Sequence, residues 1–289
     1  MQERELKIEL DEASAVRLMR VLGCPAETVL QDNHYLDDED GRLREARCGL
    51  RLRRRLSVPP PASLADAVGW LEALTSPADT SAESTTPPDE LGRSMQPAAR
   101  EPGSDSAWVL SLKGPSRTAG VLFERAEYES PVEPEQAERL VAGEAAAQVF
   151  AQSPLPSPLL EACSLGVDLN AVRVHGAARN LRQRYGFPDA PREAAAATQA
   201  HLELDLTRYP DGFTGFELEL EIGTGDALDW ESRLHCFLDE LGVPWKPATR
   251  GKYARYRGHL GHPGHTGHPG QPGHTGHPGH PGHTVRRLP

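Results

Sequence analysis

Six short stretches of this chain alternate, residue by residue, between apolar side chains and full charges, and no other feature of its 289 residues constrains the fold as tightly. The first, "MQERELKIEL", puts Glu3, Glu5, Lys7 and Glu9 at odd positions and Leu6, Ile8 and Leu10 at even ones. Period-two alternation sends such sets to opposite faces of a β-strand. "LRLRRR" likewise sets Arg51, Arg53 and Arg55 against Leu50 and Leu52, and "WVLSLKG" sets Val109, Ser111 and Lys113 against Trp108, Leu110 and Leu112. "LFERAEYES" gathers Arg125, Glu127 and Glu129 on one face. "HLELDLT" opposes Glu203 and Asp205 to Leu202, Leu204 and Leu206, and "FELELEI" opposes Glu217, Glu219 and Glu221 to Phe216, Leu218, Leu220 and Ile222.

Periodicity alone fits an antiparallel sheet with one wet face. Ordinary wet faces, however, mix in Thr, Ser and Gln, whereas these are built from full charges, some strands mainly acidic and others mainly basic. Closing such a sheet with the charged faces inward gives a tunnel lined by both signs, its apolar outside covered by helices. Arginine forks and lysine ammoniums match the oxygens of a polyphosphate. Clustered carboxylates repel one another unless a divalent cation such as Mg²⁺ or Mn²⁺ joins them, and metal bridging carboxylate to phosphate is the apparatus of phosphoryl transfer.

Helices to cover the sheet are expected at "SAVRLMRVLG", with Ser14 as cap and Gly23 as stop, and at "EQAERLVAGEAAAQVFAQ" and "DALDWESRLHCFLDELG", which read as amphipathic helices. Two segments stand apart. From about Ser57 to Ser106 the chain is dense in Pro, Ser, Thr, Ala and acidic residues and reads as a disordered insertion, with a short helix across "SLADAVGWLEAL". From Gly258 to Thr284 glycine recurs every third residue, nearly always followed by histidine, but the run is short and its prolines fall only in the third position of the triplet, so a stable triple helix is not expected. The organisation expected is a catalytic domain over 1–257, interrupted at about 57–106, and a disordered Gly/His/Pro-rich tail over 258–289 whose histidines bind Ni²⁺, Cu²⁺ or Zn²⁺ weakly.

The formal charge of −11 argues against non-specific adhesion to nucleic acid or to an anionic membrane. The sequence has no apolar run of about 18 residues and no secretory signature at its start, so a cytoplasmic protein is expected. Cys24, Cys48, Cys163 and Cys236 are scattered, which fits neither a zinc site nor a disulfide framework.

Glu3, Glu5 and Lys7 resemble the N-terminal ExExK signature of the CYTH, or triphosphate tunnel metalloenzyme, superfamily, which includes thiamine triphosphatases, inorganic triphosphatases and class IV adenylate cyclases. "QDNHYLDDEDGRLREARCGLRLRRR", "WVLSLKGP", "ERAEYE", "GFELELE" and "LGVPWKPATRGKYARY" are similar to the family's later segments, so that the likeness covers about 1–56 and 107–257. The resemblance implies an α+β fold, a closed antiparallel eight-stranded barrel with covering helices. It also implies that Glu3, Glu5, Asp205, Glu217 and Glu219 hold Mg²⁺ or Mn²⁺. Arg51, Arg53, Lys113, Arg125, Arg182 and Lys252 would grip the triphosphate, with Glu3, Glu5 and Lys7 as the catalytic set and Glu127 facing the tunnel. Glu9, Arg55, Glu129 and Glu221 are expected at a solvated mouth, Arg54 on the surface, and His34 in a structural role.

Hydrolysis and cyclisation share such a tunnel and differ in where the organic end of the substrate sits. The aromatic residue that thiamine-recognising members place just ahead of the arginine pair is missing, since Gly49 stands there. Inorganic triphosphate is therefore the leading substrate, with thiamine triphosphate hydrolysis, cyclisation of ATP and non-catalytic capture of polyphosphate as alternatives. A monomer or homodimer with no nucleic-acid or membrane partner is expected.

Overall fold

The computed structural model describes residues 2–73, 107–188, 200–223 and 225–260. In chain order the elements are β1 (Gln2–Leu10), α1 (Glu12–Leu22), β2 (Glu27–Asp37), α2 (Arg42–Glu45), β3 (Gly49–Ser57) and α3 (Leu64–Ala73). After them come β4 (Ala107–Lys113), β5 (Arg117–Ala119), β6 (Leu122–Val132), α4 (Pro134–Val141), α5 (Ala146–Val149) and α6 (Ser157–Ser164). The chain continues through β7 (Arg173–Gly186), β8 (His201–Arg208), β9 (Thr214–Glu221), α7 (Ala227–Glu240), β10 (Lys246–Pro247) and α8 (Lys252–Leu260).

All the pairings are antiparallel. The sheet runs β10-β1-β9-β8-β7-β2-β3-β4-β6-β5, and β1 also pairs with β6, so eight strands close into a barrel while β5 and β10 lie outside the ring. Leu6, Ile8, Leu202, Leu204, Leu218 and Leu220 are fully buried on its outer face, in one cluster with Leu18 of α1 and Leu234 and Leu238 of α7. Leu50, Leu52 and Leu110 are fully buried in a second outer cluster with Leu140 of α4 and Leu159 of α6. Each such leucine stabilises the fold by roughly 1.5–3 kcal/mol, so the apolar positions settle which way each strand faces, even-numbered ones in β1, β3, β8 and β9 and odd-numbered ones such as Leu181 in β7. A register slip by one residue would drive the charges into these apolar layers.

Local chemistry sets the boundaries. Asp11, not Ser14, caps α1: its Oδ1 accepts from the Ser14 N–H at 2.7 Å. Ser14 reads as a cap because hydroxyls favour that position, but here it is buried and its hydroxyl donates to the Pro244 carbonyl at 3.2 Å. Gly23 ends the helix at φ 72°. The stretch "EQAERLVAGEAAAQVFAQ" is two helices rather than one, because Gly143 adopts φ 92° between α4 and α5. The first part of the segment read as an insertion holds α3, whose Ala67 and Leu71 are fully buried in the first cluster; the rest of it, 74–106, lies outside the described residues. Helix α8 carries three residues of the segment read as tail, and 261–289 lie outside the described residues. Among the described residues no helix is long and apolar enough to cross a membrane.

Candidate functional site

Closure brings the charged faces together inside the barrel, and the register itself makes the pairs: Glu3 lies opposite Arg125, Lys7 opposite Glu219, Asp205 opposite Arg182 and Lys113 opposite Glu127. Glu3, Glu5 and Lys7 are 8%, 1% and 3% exposed, so the N-terminal strand turns its charges inward. Arg125 Nε donates to Glu3 Oε2 at 2.5 Å and its Nη2 to Glu5 Oε1 at 2.8 Å. Lys113 Nζ reaches Glu3 at 2.5 Å and Glu127 at 3.3 Å. Lys7 pairs with Glu219 and, at 3.0 Å, with Glu5. Burial alone would raise the Glu3 carboxyl, but Lys113 and Arg125 outweigh it and hold Glu3 well below the usual carboxylate range.

A second network crosses β7, β8, β9 and α8. Arg182 pairs with Glu203, with Asp205 at 2.5 Å and with Glu219 at 2.6 Å. The Lys252 ammonium sits 2.6 Å from Asp205, 2.6 Å from Glu217 and 2.5 Å from Glu219. Three residues on, one helical turn along the same face, Arg255 reaches Glu217 at 2.5 Å. Tyr256 packs 4.6 Å from the Tyr35 ring and is 1% exposed, so α8 closes this end of the barrel. Gly176 permits that fit, since a Cβ there would stand 1.7 Å from the Tyr256 hydroxyl. An aromatic ring does lie beside Gly49: Tyr253 of α8 approaches to 3.4 Å of where a Cβ would be and lines the same cavity. It escapes a reading of strand β3 because it arrives from the far end of the chain.

The two remaining tunnel cations differ from these. Arg51 Nη2 donates to the Ser111 hydroxyl at 3.3 Å and Arg53 Nε to Asn33 Oδ1 at 3.0 Å, and neither arginine has an ion pair among the described residues. Burial, with Arg51 and Arg182 nearby, pushes the Arg53 guanidinium down to about 9. The cavity, about 1650 Å³, is lined among others by Arg51, Arg53, Lys113, Arg125, Glu219 and Lys252.

Three carboxylate sets have oxygens close enough to share a cation: Glu3, Glu5 and Glu221; Glu203, Glu219 and Glu221; and Asp205, Glu217 and Glu219. The third already surrounds Lys252. The first two meet at Glu221, which has no ion pair among the described residues; burial, then Glu5, Glu219 and Glu203, push its carboxyl up to about 9. Of the acids in these sets Glu221 is the one with no cationic partner among the described residues, so Glu3, Glu5 and Glu221, with Glu219 beside them, form the set with a place for a divalent cation. Glu221 thus lies inside the tunnel and not at a solvated mouth, because the shear of the barrel sets it opposite Glu5. Glu203 is the other tunnel acid not singled out for a site role, although its parity in "HLELDLT" pointed inward. Glu9 and Arg55 are partly exposed, near Arg255 at 3.7 Å and Glu27 at 3.6 Å, and Glu129 is exposed. Arg54 lies outside over the Trp108 ring at 5.8 Å, and His34 packs on the same ring at 5.9 Å.

A protein of Hippeastrum described as an adenylyl cyclase candidate with a dominant triphosphatase activity is similar in structure, with a TM-score of 0.62 and 22% identity over 89% of this chain and 95% of that one. An adenylate cyclase candidate from Bacillus halodurans has a TM-score of 0.52 and 16% identity, over 87% of this chain and 95% of its own. No match was found among curated proteins. At these identities the likeness speaks for the fold, and the sequence itself supplies the family: residues 1–251 match the model of the CYTH domain, and the chain belongs to that family.

Proposed function

We propose that this chain is a divalent-metal-dependent triphosphatase that hydrolyses inorganic triphosphate or a triphosphorylated small molecule inside the barrel. The observation that carries the reading is the division of the tunnel. One side holds Glu221, a carboxylate with no cationic partner among the described residues, close to Glu3, Glu5 and Glu219, and the other holds Arg51 and Arg53 short of an anion. A triphosphate with its metal supplies both missing charges at once.

In this reading Arg51 and Arg53 grip the phosphate chain and stabilise the charge that builds on the departing diphosphate as the terminal phosphoanhydride breaks. Glu3, Glu5, Glu219 and Glu221 hold the metal, which neutralises phosphate oxygens and favours attack by water. Lys7 fixes Glu5 and Glu219, Lys113 fixes Glu3 and Arg125 fixes Glu3 and Glu5, so these acids are held in orientation along the tunnel wall. Arg182 and Lys252, each on three carboxylates, order the acidic wall, and only their remaining hydrogen-bonding capacity is left for substrate.

A second reading, an organic triphosphate such as thiamine triphosphate or ATP, is favoured by Tyr253, whose ring lines the cavity next to Gly49, 5.0 Å from the Tyr35 ring. Phosphate release from inorganic triphosphate, thiamine triphosphate and ATP with Mg²⁺ and with Mn²⁺, cyclic AMP being measured in parallel, separates the readings. Fastest release from inorganic triphosphate supports the first, and preference for an organic triphosphate supports the second. Tight binding with no release from any of them would make the protein a binding module.

A further inference from the structure

The tunnel's cations are treated in two different ways. Lys7, Lys113, Arg125, Arg182, Lys252 and Arg255 each carry at least one carboxylate partner. Arg51 and Arg53 are held by a hydroxyl and an amide. Those two holders face inward directly across the strand ladder, Ser111 opposite Arg51 and Asn33 opposite Arg53, and they are 1% and 3% exposed. Buried positions facing a guanidinium are where a carboxylate gives the strongest pairing, and a carboxylate does stand across the ladder from Arg125, Arg182 and Arg184, namely Glu3, Asp205 and Glu203.

One of these neutral holders, Asn33, belongs to a larger uncharged layer. Asn180 donates to Asp205 Oδ1 at 2.9 Å and to Gln31 Oε1 at 3.3 Å, and it accepts from the Thr207 hydroxyl at 2.7 Å. Asn33 touches the same layer through the Gln31 carbonyl at 3.5 Å. Gln31, Asn33, Asn180 and Thr207 are all buried, so a shelf of amides and a hydroxyl carries the wall on from Asp205 toward the arginine pair. The Arg51 Nε is buried and makes no hydrogen bond at all. A guanidinium desolvated to this degree with donors to spare is incomplete until an anion arrives.

We infer that Asn33 and Ser111 are positioning residues that fix the Arg53 and Arg51 forks while leaving their charge unspent, and that this neutrality sets how tightly the tunnel takes a triphosphate anion. The inference rests on the triphosphate reading of the site. An aspartate at either position would orient the arginine as well or better, yet would compete with the substrate for it. A purely structural role predicts the opposite order, with loss of the side chain worse than a change of its charge.

The test compares N33A and N33D with the parent, using triphosphate as titrant in calorimetry, KM and kcat from phosphate release, and melting temperature to verify folding. The expected result is that N33D weakens binding and raises KM at least tenfold, that N33A does so by clearly less, and that kcat changes less than KM in both. Where N33D does not fold, S111D against S111A carries the same comparison at Arg51. Aspartate variants that are folded and bind triphosphate like the parent, or no more weakly than the alanine variants, overturn the inference while leaving the triphosphatase reading in place. A parent that binds triphosphate without releasing phosphate overturns only the catalytic reading, and a parent that does not bind it overturns both.

Discussion

Replacing Lys252 by methionine probes the account where its electrostatics are most concentrated. The ammonium lies within 2.6 Å of Asp205, Glu217 and Glu219, whose side chains are 0%, 2% and 2% exposed. Methionine keeps most of the volume and removes the charge, leaving three buried carboxylates to Arg182, Arg255 and Lys7. Breaking a buried pair by deleting one partner costs about 3–5 kcal/mol. At roughly 2–4 °C per kcal/mol for a domain of this size, K252M should melt on the order of 6–20 °C below the parent near pH 7. The loss carries a pH signature. Burial raises Asp205 and Glu219, but Arg182 and Lys252 outweigh it for the first, and Lys252, Lys7 and Arg182 for the second, so both are depressed in the folded state. Depressed carboxylates stabilise the fold above their unfolded values, about 3.9 for Asp and 4.3 for Glu, and that contribution disappears as pH falls through the folded values. The gap between parent and K252M should therefore be widest near neutrality and shrink as the pH drops below about 4. Scanning calorimetry across pH reads it directly. Melting within about 2 °C of the parent at pH 7, or a deficit independent of pH, would refute the reasoning.

Other consequences are smaller in scope. Glu221→Gln should melt above the parent in EDTA: a carboxyl raised to about 9 binds a proton that the unfolded chain releases near 4.5, so the parent loses stability as pH rises between those values and the variant does not. Mg²⁺ should then raise the melting temperature of the parent more than that of E221Q, and equal shifts would remove Glu221 from the metal site. Gly176→Ala should expel the Tyr256 ring and destabilise the protein by about 1–3 kcal/mol or more in urea titration; an unchanged midpoint would show that α8 does not seat there. Arg51→Ala should chiefly raise KM for triphosphate, and a kcat defect at unchanged KM would place Arg51 outside substrate binding.

Much of the barrel was legible because one physical rule, period-two alternation, governs each strand independently, and leucines of a single parity in a strand leave it only one way to face. The same rule puts Glu203 and Glu221 inside, yet parity gives no depth along the tunnel. That depth depends on barrel shear, which sets Glu221 beside Glu5 and leaves Glu9 at the rim. The roles of α8 were harder to read for a different reason. Lys252 and Arg255 share a helix face, but a helix period does not reveal which cavity the face enters, and Tyr253 meets Gly49 across some two hundred residues of sequence. The helical stretch after β6 misled because its apolar spacing runs on through Gly143, where the backbone turns left-handed.

The central claim is that the inward carboxylates and arginines form a metal-dependent triphosphatase, and the most direct measurement is phosphate release from inorganic triphosphate by the parent and by E5Q, with Mg²⁺ or Mn²⁺ and with EDTA. The account predicts release by the parent only with metal, and at least a hundredfold less by a folded E5Q. Release in EDTA at the parental rate, or a folded E5Q as active as the parent, would contradict it.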